Sequence, residues 1–549
     1  MENDKWNSKL INQTKIIDST KNIVDGKIVK SSDAKLLLET VIKPGNRVCL
    51  EGNNQKQADF LARTLASVDN TKINNLHMLQ SVVALPEHLD VFEKGIANKL
   101  DFSFSGPQSL RLAKLANAGK INIGAIHTYI ELYSRYFLDL TPDVCLITAE
   151  AADYEGNLYT GPNTEETPTI TEATAFKNGI VIVQVNQLLE ELPRVDIPSD
   201  WVDFVIESPY PNHVEPLFTR DPAKITEMQV LMGMIALKGI YAEYGVKRLN
   251  HGIGFNTAAI ELLLPTYADE LSLKGKICEH WTVNPHPTLI PAIESGFIKS
   301  IHSPGSEIGM EDYIRNRRDI FFTGRDGSKR SNRTFSQLAG LYGVDMFIGS
   351  TLQIDSVGNS STATSSRISG FGGAPNMGSN AAGRRHASDT WLRVGAEDKS
   401  RTNPMAVGKK LVVQIVETYR QQMEYAFVEK LDAIELAKNS NMALPPVMIY
   451  SEDVTHIITE EGIANLLLCE NMKEREEAIK GIAGYTPMGL SRDKKIVKKL
   501  RDRGVIRYVE DLGINKLDAN RNLLAAKSIK DLVHASHGLY KPPKKFRNW

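Results

Sequence analysis

Residues 47–67 read RVCLEGNNQKQADFLARTLAS. Arg47 to Leu50 form a short apolar run bounded by polar turn residues, the length and composition of a buried strand. From residue 55 to residue 67 the pattern changes: Ala58, Leu61, Ala62 and Leu65 recur at helical spacing. A strand that turns at once into a helix is the repeating unit of a parallel sheet covered on both faces. The same reading applies downstream, with strands at 121–126, 144–148 and 180–185 and a helix at 109–117. The expected fold class is therefore α/β with mostly parallel sheets.

The pattern then restarts. Asp221-Pro222 pairs a capping side chain with a proline suited to the first helical position. A helical stretch follows through Met228, Leu231, Ile235 and Ile240 and ends near Gly245. Beyond it, strand-like runs at 276–278, 297–302, 320–322 and 345–352 build a second α/β unit. A chain of 549 residues exceeds one ordinary domain, so the expected division is 1–220 and 221–549. One segment stands apart, SVGNSSTATSSRISGFGGAPNMGSNAAGRR at 356–385, rich in Ser and Gly and poor in large aliphatics. Its neighbours are strand-like, so it reads as a functional loop rather than a linker.

Charge and composition narrow the function. With 42% hydrophobic and 24% charged residues and a formal net charge of −1, nothing marks nucleic-acid or membrane-surface binding as the main business. Cys49, Cys145, Cys278 and Cys469 show no metal or disulfide spacing, which suits reduced thiols in a cytoplasmic protein. There is no secretory signal pattern at the start and no apolar run near the roughly 18 residues of a membrane span. The phosphate-loop pattern GxxxxGK[ST], the serine-hydrolase elbow GxSxG and zinc-type HExxH spacing are all missing. No metal is assigned.

Three places carry candidate chemistry. Gly252-Ile253-Gly254 precedes a helical run at 257–264, and a glycine turn before a helix presents N–H groups to an oxyanion; a tight turn with no ligand is the alternative. Gly370, Gly372 and Gly373 permit close backbone approach to a flat or phosphorylated ligand, or else serve a mobile connector. Glu279 follows the strand-like 276–278 beside His280 and Trp281, where α/β folds place reactive side chains; a structural glutamate is the alternative. Cys278 belongs to the core by strand alternation.

Longer strings carry a resemblance. GIGFNTAAIELLLP, KGKICEHW and IPAIESGFIKSIH resemble the second half of CoA transferases. DVCLITAEAADYEGNLYTGP, IVIVQVNQLLEELP and DVTHIITEEGIANL extend the resemblance over roughly residues 40–500. NPHPTLIPAIESG, the long stretch from DIFFTGRDGSKRSNRTF to GGAPNMG, and GRRH are similar to the alpha-subunit family of malonate decarboxylases. That resemblance implies two CoA-transferase-like domains and an exchange in which acetyl-S-carrier plus malonate gives malonyl-S-carrier plus acetate. It implies Glu279 as the catalytic nucleophile, with Gly252 and Gly254 at the oxyanion and acyl group. Gly370, Gly372 and Gly373 would border the prosthetic group.

No cofactor is expected on this chain itself; it would act on the phosphoribosyl-dephospho-CoA group of an acyl carrier protein subunit. Malonyl-carrier decarboxylase subunits would be further partners. Malonate's second carboxylate calls for a cation, and Arg384 and Arg385, with Arg330 and Arg333 behind them, are the candidates. The alternatives are a free acyl-CoA:carboxylate CoA-transferase, a citrate lyase alpha-type transferase in which the incoming acid attacks directly, and a non-catalytic scaffold subunit.

Overall fold

A computed structural model describes residues 2–52, 56–214, 216, 220–325, 333–380, 386–399, 408–420, 423–547 and 549, with side chains from residue 9 onward. The first sheet has ten strands: β1 Val24–Asp25, β2 Ile28–Val29, β3 Arg47–Leu50, β4 Leu76–Val82, β5 Ala97–Phe104, β6 Asn122–Ile126, β7 Val144–Asp153, β8 Leu158–Tyr159, β9 Ile180–Leu189 and β10 Phe204–Glu207. Their order is β1-β2-β10-β9-β7-β3-β4-β5-β6, with β8 beside β7. Only the β1–β2 and β7–β8 pairings are antiparallel.

The second sheet comprises β11 Arg248–His251, β12 His280–Thr282, β13 Ser300–His302, β14 Met346–Ser350, and, after the small hairpin β15 Gln353–Ile354 and β16 Ser360–Ser361, β17 Leu411–Ile415, β18 His456–Ile458, β19 Gly462–Asn465 and β20 Ile506–Tyr508. Its order is β13-β12-β11-β14-β17-β18-β19-β20, parallel up to β18 and antiparallel thereafter.

Alternation along the strands explains why both sheets lie buried between helices. On β3, Val48 and Leu50 join one apolar cluster while Cys49 joins the cluster on the opposite face. On β14, Met346 and Ile348 face one core and Phe347 the other. Each fully buried aliphatic side chain is worth about 1.5–3 kcal/mol, so a strand with apolar residues on both sides is fixed from both sides at once. The helix Ser109–Asn117 packs in the same way, with Leu112, Ala113, Leu115 and Ala116 inward.

The stretch after residue 220 is built differently from the expected single helix. Asp221 accepts a hydrogen bond from the Ala223 N–H (2.9 Å) and caps only a short 3-10 turn, Pro222–Lys224. The helix proper, Glu227–Ala236, begins at its own capping box of Thr226 and Gln229. It runs through a π turn at Leu237–Tyr241 and stops at Gly245, whose φ of 62° is the left-handed stop favoured by glycine.

Each sheet reverses direction once. In the first, the chain builds β3 through β6 outward and then returns to place β7 on the other side of β3. In the second, β11 through β13 run one way and β14 returns beside β11. Such reversals open a crevice at the carboxyl ends of the two flanking strands.

Candidate active site

The β11–β14 crevice holds a cavity of about 450 Å³. From β11 and the turn after it come Asn250, His251, Gly252, Ile253 and Gly254, and from the end of β14 come Gly349 and Ser350. Val283, Asn284 and His286 follow β12. The Ser/Gly segment closes the opposite wall with Arg367, Ser369, Gly370, Phe371, Gly372 and Gly373, and the first half adds Phe104 and Tyr129. The two glycine clusters, more than a hundred residues apart in sequence, thus face one space.

Their glycines are needed for protein packing as much as for a ligand. Gly370 lies at φ 73°, and a Cβ there would sit 2.5 Å from the Ser103 carbonyl oxygen. Close approach lets the Phe371 and Gly372 N–H groups donate to Ser103 O (2.6 and 2.9 Å) and Tyr129 N–H donate to Gly372 O (3.1 Å). The loop is thereby stitched to the end of β5, so it is a fixed wall and not a mobile connector. A Cβ at Gly373 would meet Gln337 Oε1 at 2.4 Å, and one at Gly252 would meet Gly349 Cα at 3.0 Å. The Gly252 N–H is also taken, donating to Ile348 O (2.8 Å) within the sheet. The turn's remaining donors lie further on, where Gly254 caps the helix Phe255–Leu263 and the first-turn N–H groups have no intrahelical partner.

Beneath that turn lies an ionic network which the sequence reading missed. Glu261 is fully buried in the helix and pairs with Arg220 (2.7 Å). The same guanidinium donates to Gly254 O (2.9 Å), Thr257 Oγ1 (3.3 Å) and Thr288 Oγ1 (2.8 Å). The Thr257 hydroxyl reaches both Gly252 O (2.5 Å) and Gly254 O (2.8 Å). On the other side of the carboxylate, His251 Nδ1 and His286 Nδ1 lie 3.1 and 3.2 Å from Glu261 Oε1, and His251 Nε2 meets the Tyr241 hydroxyl at 2.6 Å. Burial works against the Glu261 charge, but Arg220 followed by the two imidazoles holds its carboxyl well below the usual range. Burial, reinforced by Arg220, pushes His286 down to about 4, and burial lowers His251. Both rings are therefore neutral at pH 7, each presenting an Nδ1–H to one fixed carboxylate.

A second polar cluster joins the two halves. Arg333, 2% exposed, pairs with Glu165, lies 3.8 Å from Glu166 and stacks 4.5 Å above the Tyr129 ring. Glu165 is held at φ 45°, a conformation costly for a non-glycine residue. Arg333 lines the cavity, but its charge is consumed by these partners. Arg330, Arg384 and Arg385 lie outside the described residues. His386, beside them in sequence, is bound to Asp345 at 3.0 Å.

Glu279 is not brought to the cavity. The strand expected at 276–278 lies instead at His280–Thr282, because Cys278 turns the chain with φ 60° while its N–H donates to Val246 O (2.8 Å). Glu279 therefore enters β12 rather than leaving it. Val283, at the cavity, is four extended residues further on, roughly 13 Å. Lys247 (3.3 Å) and Lys299 grip the Glu279 carboxylate, and against the effect of burial they keep it below its ordinary range. Cys278 is fully buried as expected, but in a left-handed turn and not by alternation along a strand. Among the described residues that line the cavity, none is Asp or Glu.

Asn284 adds a buried side-chain oxygen that has no hydrogen-bond partner among the described residues; such atoms call for a ligand or water. No group of His, Cys, Asp and Glu suited to a metal ion occurs among the described residues, and none of their helices is long and apolar enough to cross a membrane.

Comparison with known proteins agrees across the whole chain. Residues 5–549 match the family model described as malonate decarboxylase, alpha subunit, transporter. An acetyl-S-ACP:malonate ACP transferase of Malonomonas rubra is 63% identical over 528 residues, covering 96% of this chain and 95% of the relative. A chain of a Pseudomonas malonate decarboxylase hetero-tetramer, solved in complex with malonate, superposes with a TM-score of 0.95 at 56% identity, covering 99% of this chain and 100% of that one. The alpha subunit of a malonate decarboxylase from Acinetobacter baumannii gives 0.93 at 53%, covering 98% and 100%. At the level of fold alone, a citrate lyase alpha subunit from Streptococcus mutans matches with a TM-score of 0.56 at 15% identity, covering 94% and 87%. With an α/β architecture of mostly parallel sheets and a family match from end to end, this chain belongs to the malonate decarboxylase alpha-subunit family.

Proposed function

We propose that this chain is an acetyl-S-carrier:malonate carrier-protein transferase working in the β11–β14 cavity, without a glutamyl intermediate. The observation that carries the mechanism is the make-up of the cavity wall: glycine turns, neutral imidazoles and amides, and no carboxylate among its described residues. A malonate oxygen attacks the acetyl thioester carbon, and the tetrahedral intermediate collapses to an acetyl-malonyl anhydride and the carrier thiolate. The thiolate then attacks the malonyl carbonyl and expels acetate. One thioester is lost and one is formed, so no nucleotide is consumed. Preorganised N–H donors at the start of the helix Phe255–Leu263 are suited to each oxyanion, and the Arg220–Glu261 network holds that turn in place.

Residues 1–220 supply one wall and residues 221–549 the rest. The carrier's phosphoribosyl-dephospho-CoA arm would pass the Gly370–Phe371–Gly372 wall in a cytoplasmic complex with carrier and decarboxylase subunits. The purified chain with acetylated carrier and labelled malonate should yield labelled malonyl-carrier, with much less label from citrate or propionate. Incorporation from citrate equal to that from malonate, or preference for free acetyl-CoA over acetyl-carrier, would contradict this reading.

A further inference from the structure

Malonate differs from the acetate it displaces by one carboxylate that takes no part in the exchange. In a cavity closed on several sides, that charge needs a cation or it opposes binding. Two arginines and no lysine stand among the described lining residues. Arg333 is already paired with Glu165 and covered by Tyr129. Arg367 is different: no carboxylate among the described residues lies within ion-pair distance of it, and its side chain remains exposed.

Its backbone, by contrast, is fixed. Thr364 N–H donates to Arg367 O (2.7 Å) and Arg367 N–H donates to Thr364 Oγ1 (3.2 Å). The next residue is held by the first half, Ile368 N–H donating to Ser109 O (3.1 Å). Arg367 also lines a second cavity of about 310 Å³, with Ser350 the other residue common to both. Arg367 thus borders both the acyl cavity and its neighbour, on a backbone that does not have to be ordered when substrate arrives.

Resting on the transferase reading above, we infer that Arg367 receives the spectator carboxylate of the incoming dicarboxylate and so sets the preference for malonate over monocarboxylic acids. A guanidinium fork suits a carboxylate in two parallel hydrogen bonds. Arg367 is therefore a specificity residue: it touches the end of the substrate that does not react.

The test uses the full chain, acetylated carrier, and labelled malonate and labelled acetate as competing acids. Wild-type protein that fails to incorporate malonate contradicts the transferase reading itself and leaves nothing for Arg367 to select. With active wild type, Arg367→Gln is expected to lower the ratio of kcat/KM for malonate to that for acetate by about 10- to 100-fold, mostly through KM for malonate. Arg367→Lys, which keeps the charge but not the fork, should fall between the two. An unchanged ratio overturns the inference. So does an equal loss with both acids, which would place the guanidinium on an anionic group of the carrier arm. A lysine variant outside the interval between wild type and glutamine overturns it as well.

Discussion

The chain reverses a parallel sheet twice, and the two crevices have met opposite fates. Between β3 and β7 the crevice is filled. Glu51, directly after β3, accepts from the Thr148 N–H (2.8 Å) and Thr167 hydroxyl (2.5 Å), while buried Lys56 reaches Thr167 (2.5 Å) and stands 3.9 Å from Glu51. Among the described residues, a cavity of about 130 Å³ lies beside Lys56 and Glu150. Between β11 and β14 the corresponding strand ends carry Gly252 and Gly349, packed nearly in contact, and the charged cluster lies below the turn. The cavity above it is more than three times larger. Topology thus offers two sites, and side-chain size at the strand ends decides which of them is available to a ligand.

The most damaging change to the open crevice is expected at Arg220. Arg220→Met would leave Glu261 buried against two neutral imidazoles, and removing one partner of a buried ion pair typically costs about 3–5 kcal/mol. Urea unfolding should show that loss together with a collapse of acyl exchange. A variant of wild-type stability would show that the network does not hold the turn. Gly370→Ala comes next, since it combines a positive φ with a backbone collision at Ser103. A cost of about 1–3 kcal/mol is expected, and exchange should fall more than stability does because the loop wall leaves β5. Normal kinetics would separate the loop from the site.

The pH dependence is a smaller effect with a definite sign. His286 titrates near 4 in the folded chain and about 6.5 when unfolded. As pH falls from about 6.5 to about 4, the unfolded chain binds a proton that the folded chain does not, so stability declines across that window and levels off below it. Urea midpoints measured at pH 7, 6 and 5 should fall in that order, and His286→Asn should flatten the decline. An equal slope in wild type and variant would remove His286 from the account.

The fold was readable where patterning was clean. Residues 47–50 and 109–117 are a strand and a helix with the expected bounds, because apolar spacing alone specifies them. Strands β7 and β9 run five and four residues beyond the readings at 148 and 185, because their ends carry polar residues such as Glu150 and Asn186 that look like loop. The reading failed at 276–282. A cysteine in a left-handed turn has no sequence signature, so Glu279 was assigned to the wrong end of its strand. The Arg220 network draws on positions 220, 241, 251, 261, 286 and 288, which share no spacing. Its one visible trace was Glu261 itself, a lone charge in the apolar run AAIELLLP, where a buried carboxylate demands partners.

The smallest expected effect is at Glu279, and it is also the most direct test. Its partners Lys247 and Lys299 have side chains 43% and 59% exposed, so Glu279→Gln should cost about 1 kcal/mol or less. The decisive measurement is acetyl-carrier-to-malonate exchange by Glu279→Gln, alongside borohydride treatment of the acetyl-carrier-charged wild type. Direct attack by malonate requires exchange within a few-fold of wild type and no glutamate reduced to an alcohol. Loss of exchange by orders of magnitude in a folded variant, with a reduced residue at position 279 in the wild type, would contradict it and establish the covalent route.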